Sequence, residues 1–147
     1  MQKHFSFLLL TAFFVVLAGC DSGLKTYPVS GTVTYDGQPL AGATVGFSPK
    51  NPGEIEGDGG IARTDDNGFY QLQMIQGRAG GGTTPGEYHV TVSKVENVGT
   101  GTFTTDSDGN RLEEDRPVSV IPEKYGGPDS GLSATVEKKN NVINFEL

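Results

Sequence analysis

The sequence predicts an all-β protein: about seven antiparallel strands in a Greek-key sandwich, preceded by a signal-peptide helix. Three observations lead there. A composition of 22 Gly and 8 Pro without Trp, and rich in Thr and Val, favours short strands joined by tight turns over long helices. After residue 26 the apolar residues recur with period two, and no run keeps the i, i+3, i+4 spacing over a dozen residues. Turn signals separate the alternating runs at the spacing of a sandwich. The chain has 147 residues, 128 once the first 19 are removed, which suits one domain. With a single cysteine, the core must stand without disulfides, as a unit of this size can.

The elements follow in order. Residues 5–18 form an apolar run of 14, broken only by Ser6 and Thr11, after a start that carries Lys3. As a helix this run spans about 21 Å, short of the roughly 30 Å hydrocarbon layer, so it reads as a signal-peptide core over residues 1–19 and not as a permanent span. Residues 20–26 are a short polar tether apart from Leu24. Residues 27–35 place Val29, Gly31, Val33 and Tyr35 on one face and Ser30, Thr32 and Thr34 on the other, a half-buried strand. Asp36-Gly37-Gln38-Pro39 is turn chemistry, and residues 43–47 follow as a strand with Val45 and Phe47 inward.

Residues 49–60 form a loop carrying Glu54, Glu56 and Asp58. Residues 61–64 and 69–74, separated by Asp65-Asp66-Asn67-Gly68, predict a hairpin with Tyr70, Leu72 and Met74 on one side. Residues 76–86 are glycine-rich, and residues 87–94 resume alternation with Tyr88, Val90 and Val92 inward. Residues 95–117 predict a polar surface excursion with a short hairpin around Asp108-Gly109, and residues 118–121 a brief edge strand. The closing pair is residues 132–136 and 142–147, joined by Lys138-Lys139-Asn140-Asn141, with Ile143, Phe145 and Leu147 on one face.

The quartet Leu17-Ala18-Gly19-Cys20 resembles the bacterial lipobox. That resemblance implies cleavage before Cys20, a diacylglyceryl thioether on its sulfur and an N-acyl chain on its new amino terminus. Several acyl chains anchor firmly, at about 0.8 kcal/mol per buried CH₂. The expected place is the cell envelope, anchored by lipid to the outer or inner membrane after export. Val29-Ser30-Gly31-Thr32-Val33-Thr34-Tyr35-Asp36-Gly37-Gln38-Pro39-Leu40-Ala41-Gly42-Ala43-Thr44-Val45 resembles the opening of carboxypeptidase regulatory-like domains. Ala62-Arg63-Thr64-Asp65-Asp66-Asn67-Gly68-Phe69-Tyr70, Pro85-Gly86-Glu87-Tyr88-His89-Val90-Thr91-Val92 and residues 142–147 fit further parts of that pattern. The resemblance covers most of residues 27–147 and implies a prealbumin-like (transthyretin-like) sandwich. With the lipobox and Ile121-Pro122-Glu123-Lys124-Tyr125-Gly126, the whole is similar to small lipoproteins of planctomycete-type bacteria. In metallocarboxypeptidases this module accompanies a separate catalytic domain. The matching motifs are turns and core positions, so they imply fold and not activity.

Chemistry-bearing residues are sparse. The formal charge of −7 becomes −8 once Lys3 leaves and the amino terminus at Cys20 is acylated. The basic residues are scattered among 18 acids, so nucleic acid is not an expected partner. His4 departs with the signal, leaving His89 alone on the outward face of a strand, with no G-x-S-x-G nearby. Zinc held by Cys and His is excluded by count. Asp106, Asp108 and Asn110 alternate as in a calcium loop, with Glu113 and Glu114 nearby. Glycine stands fourth instead of sixth, however, and Pro117 takes the closing twelfth place. An Asx-rich turn is therefore the reading, with no metal and no cofactor beyond the lipid on Cys20. Residues 76–82 lack the Gly-Lys-Ser/Thr ending of a phosphate loop. Paired carboxylates for glycoside hydrolysis lack the Trp platform that sugar rings favour.

The expected function is a non-enzymatic cell-envelope lipoprotein whose sandwich is a structural or protein-interaction module. A carbohydrate- or small-ligand-binding module is the alternative. The partners are then the membrane, through lipid, and an envelope protein or glycan. Tyr70, Tyr88 and Tyr125 discriminate the two: exposed beside a concave surface they favour a ligand, buried they favour the interaction module.

Overall fold

Alternation in β1 (Val29–Tyr35) sends Val29, Gly31 and Val33 inward, and the two left-handed residues that follow, Asp36 (φ 49°) and Gly37 (φ 74°), fold the chain straight back into β2 (Gln38–Pro39). The computed structural model describes residues 24–55, 57, 59–75 and 81–147. Through them run β3 (Thr44–Pro49), β4 (Gly60–Arg63), β5 (Phe69–Gln71), β6 (Gln73–Met74) and β7 (Gly86–Ser93). Next come β8 (Val95–Thr105), β9 (Arg111–Ser119), a 3-10 turn at Glu123–Gly126, β10 (Leu132–Val136), β11 (Asn141–Val142) and β12 (Phe145–Glu146).

One sheet centres on β1, flanked by β11 and β12 along one edge and by β5 and β2 along the other. The second has the order β10-β7-β3-β4-β6, and β8 with β9 makes a separate two-stranded ribbon. All-β architecture is thus as expected, but the antiparallel seven-strand scheme is corrected to one mixed sheet, one antiparallel sheet and an antiparallel ribbon, twelve strands among the described residues. β1 pairs in parallel with β11 (Val29 opposite Asn141) and with β12 (Val33 opposite Phe145). The expected closing hairpin of residues 132–136 and 142–147 does not form, because β10 pairs with β7 in the second sheet. The corner is held by buried Asn141. Its Oδ1 accepts from the Glu137 N–H at 2.9 Å, and its Nδ2 donates to the Lys139 carbonyl at 2.7 Å. Its backbone N–H reaches the Pro28 carbonyl, and this draws the last segment across to β1.

A signal-peptide helix ahead of the sandwich is likewise corrected. The described residues contain no α-helix, only the 3-10 turn, because their apolar residues alternate and leave no helical face. No helix among them is long and apolar enough to cross a membrane. The lipoprotein and membrane reading, so far as it leaned on that helix, has no counterpart in these strands. Residues 1–19 and Cys20 lie outside the described residues.

The predicted hairpin of residues 61–64 and 69–74 is half present. β4 pairs with β6, Ile61 opposite Gln73, while β5 leaves to pair with β1, Gly31 opposite Tyr70. The switch falls at Leu72, whose side chain is fully buried and whose N–H donates to the Val29 carbonyl. Gly60 makes room for it, since a Cβ there would stand 2.6 Å from Leu72 Cγ.

Both sheets contribute to one core. Phe47 of β3 meets Tyr70 of β5 and Phe145 of β12 across the sandwich, at ring separations of 6.4 and 6.1 Å, and Tyr88 of its own sheet at 5.9 Å. Burial of each such side chain stabilises the fold by about 1.5–3 kcal/mol, and tilted aromatic pairs add to that. Buried Thr64 is satisfied: its Oγ1 donates to the Leu40 carbonyl at 2.6 Å and accepts from the Ala43 N–H at 2.8 Å.

Candidate functional site

Among the three tyrosines expected to discriminate the functions, Tyr70 is 1% and Tyr88 0% exposed, and Tyr125 is half-buried against the core. The hydroxyls of Tyr70 and Tyr88 are bonded inside the protein. Tyr70 donates to the Ile143 carbonyl at 2.8 Å, and burial pushes its phenol above the ordinary value. Tyr88 donates to the Thr84 carbonyl at 2.7 Å, so the neighbouring hydroxyls of Thr83 and Thr84, 3.2 and 3.1 Å away, are left to donate to it. Tyr70 and Tyr88 are thus parts of the scaffold, without an exposed ring face.

His89 sits on the outer face of β7, exposed, opposite Ser48 on β3 and Ser133 on β10. A general base needs a partner that orients it. Among the described residues the His89 side chain makes no hydrogen bond or ion pair. The nearest acid along its strand, Glu87, pairs instead with Lys50 at 3.6 Å. The histidine and the serines share a sheet face without a catalytic geometry.

Asp106, Asp108 and Asn110 do come together, at the tip joining β8 to β9. Asp106 Oδ1 accepts from the backbone N–H of Asp108 and of Asn110, at 2.9 and 2.8 Å, and Oδ2 accepts from Asn110 Nδ2 at 3.0 Å. The Asn110 side-chain bond first, and its backbone bond second, hold the Asp106 carboxyl below the usual range. The carboxylate is therefore occupied as the hub of an Asx turn. Among the described residues no three His, Cys, Asp or Glu side chains gather as a metal cluster. Glu113 accepts from the Gly101 N–H at 3.0 Å through Oε1 alone, and its Oε2 has no partner among the described residues. Cys20, the expected lipid site, lies outside the described residues, as do Glu56 and Asp58.

The ribbon is larger than the expected excursion. Residues 95–117, expected as an excursion with a short hairpin, form with Val118 and Ser119 a long ribbon whose strands pair from Val95–Ser119 to Thr105–Arg111. Large apolar side chains along it are exposed, among them Val95, Val98, Phe103 and Leu112. Arg111 lies over the Phe103 ring, 3.8 Å from its centroid. At its root a hollow of about 390 Å³ opens between the ribbon, the end of β7 and the 3-10 turn. The missed signal was alternation on both sides of Asp108-Gly109, diluted by Thr, Gly and acids. A second hollow, of about 410 Å³, lies beside Lys25, Tyr27 and Lys138 at the end where the described chain begins.

No family model matches the chain, and no curated protein matches it. Solved structures similar to it include a 9R-lipoxygenase from Cyanothece, at 13% identity and a TM-score of 0.34 over 81% of this chain and 15% of that one. A chlorocatechol 1,2-dioxygenase from Pseudomonas putida shows 18% identity and a TM-score of 0.33 over 87% of this chain and 60% of that one. The chain thus spans less than two thirds of either protein, and similarity at this level carries no argument about fold or activity.

Proposed function

We propose that the sandwich is a non-enzymatic structural or protein-interaction module, held at the cell envelope by acyl chains on Cys20. One observation carries the first part: the aromatic side chains that would form a ligand platform, Tyr70 and Tyr88, are buried with their hydroxyls bonded inside the protein. The isolation of His89 points the same way. Acylation and envelope location rest on Leu17-Ala18-Gly19-Cys20. The carboxypeptidase regulatory-like assignment rests on the motif from Val29 to Val45 and its companions, and belongs to the same proposal.

The test uses the full chain with Cys20→Ser, titrated with envelope oligosaccharides and followed by thermal melting. An unchanged Tm with every glycan, together with photo-crosslinks to an envelope protein, is the expected outcome. A saturable rise in Tm with one glycan would replace this reading with a carbohydrate-binding one. For the anchor, wild type should incorporate radioactive palmitate and Cys20→Ser should not; equal labelling of the two removes the lipid from the proposal.

A further inference from the structure

Opposed residues of an antiparallel pair share a face, so the β8–β9 register sorts the ribbon into two sides. Val95 with Ser119, Asn97 with Pro117, Gly99 with Asp115, Phe103 with Glu113 and Thr105 with Arg111 make one of them. That side continues at the root into the hollow lined by Val92, Val95, Pro117, Ile121 and Pro122. Moving outward from Pro117, acids occupy the second and fourth positions, Asp115 and Glu113. Glu123 stands on the hollow's rim. Arg111, the one cation of this side, is laid over Phe103.

From this juxtaposition of an apolar hollow and a period-two acidic track we propose that the ribbon is a docking arm for an extended basic segment of a partner protein. The segment seats one aliphatic side chain in the hollow and sets Lys or Arg residues against Asp115 and Glu113. Strand rise fixes the spacing: Pro117 to Glu113 covers about 13 Å, so the basic residues fall two and four positions from the aliphatic one. Charge argues against a second copy as occupant. Residues 95–119 carry Glu96, Asp106, Asp108, Glu113, Glu114 and Asp115 against Arg111 and Arg116, so two arms repel. The proposal rests on the interaction-module reading and names its surface.

The probe is the synthetic peptide KTKTLTKTK, whose symmetry satisfies either strand direction, labelled with a fluorophore and titrated into the full chain with Cys20→Ser at low salt. Saturable binding is expected, about tenfold weaker for Asp115→Asn and for Glu123→Gln, which lies outside the ribbon. Replacing the central Leu of the peptide by Gly should weaken it comparably. Circular dichroism checks that each variant keeps its strands. Equal affinity of wild type and both variants, or indifference to the Leu, overturns the proposal, as does no binding at all. Sedimentation as a dimer that excludes the peptide also overturns it, by placing a second copy on the arm. A failed peptide with an intact protein crosslink sinks only the arm; a glycan-induced rise in Tm sinks the module reading whatever the peptide does.

Discussion

At the scale of residues, two positions link sequence to stability directly. Gly31 faces the Ile143 carbonyl so closely that a Cβ would stand 1.8 Å from its oxygen. Gly31→Ala must therefore push the last segment off β1 and weaken the Ile143 N–H to Ser30 bond. We expect a loss of about 3 kcal/mol, read as a lower urea midpoint at unchanged slope. Tyr70 sets an alkaline limit. Its folded-state pKa is raised by burial, so the stability it contributes is fully present below the unfolded value of about 10 and declines as pH rises beyond it. Urea midpoints of wild type should accordingly fall above pH about 10. Tyr70→Phe should lose about 1 kcal/mol at neutral pH, with its hydrogen bond gone, and show a shallower alkaline decline. Parallel pH profiles for the two proteins would refute the assignment.

Among the elements, the ribbon and the sandwich behave as separate units. The ribbon pairs only with itself among the described strands and sends no side chain beyond residue 95 and before residue 121 into the buried core. Glu96 and Val118 oppose each other near its base, two steps in register from the bonded pair of Lys94 and Val120, so a two-residue Asn-Gly turn can replace residues 97–117. Such a chain should melt within about 0.5 kcal/mol of wild type, as for surface changes. A drop comparable to a core mutation would show that the ribbon supports the fold. In hydrogen exchange, the amides of β8 and β9 should exchange well before those of β3 and β7, which lie inside a five-stranded sheet.

For the whole molecule, closure depends on the last seven residues. β11 and β12 flank β1 on one edge, and Phe145 packs on Phe47 and Tyr70 between the sheets. Ending the chain at Asn140 removes that ring, worth about 3–5 kcal/mol by analogy with aromatic truncations, and also the Asn141 corner. Against a total of about 5–15 kcal/mol, the truncated chain should lose its cooperative melt and its near-ultraviolet dichroism. A sharp transition near the wild-type temperature would contradict this account of closure.

How much of this was legible in the chain depends on how local the cause is. Period-two alternation alone determined the strand faces: Val29, Val33, Val45, Phe47, Tyr88, Val90 and Val92 are all inward. Asp36-Gly37 determined its turn, because left-handed backbone is a property of those residues. The Asx turn at Asp106 was legible for the same reason. Which strand lies beside which was not. Residues 69–74 read as one strand, yet they divide between sheets at Leu72, and residues 142–147 run parallel to β1 instead of doubling back on β10. Nor could alternation tell that Tyr70 and Tyr88 would spend their hydroxyls internally, or that Pro117 and Asp115 would line up behind a hollow. Side-chain period is an attribute of a single strand. Pairing is decided by competition among distant segments for the same backbone groups and core volume, and only the assembled structure resolves it.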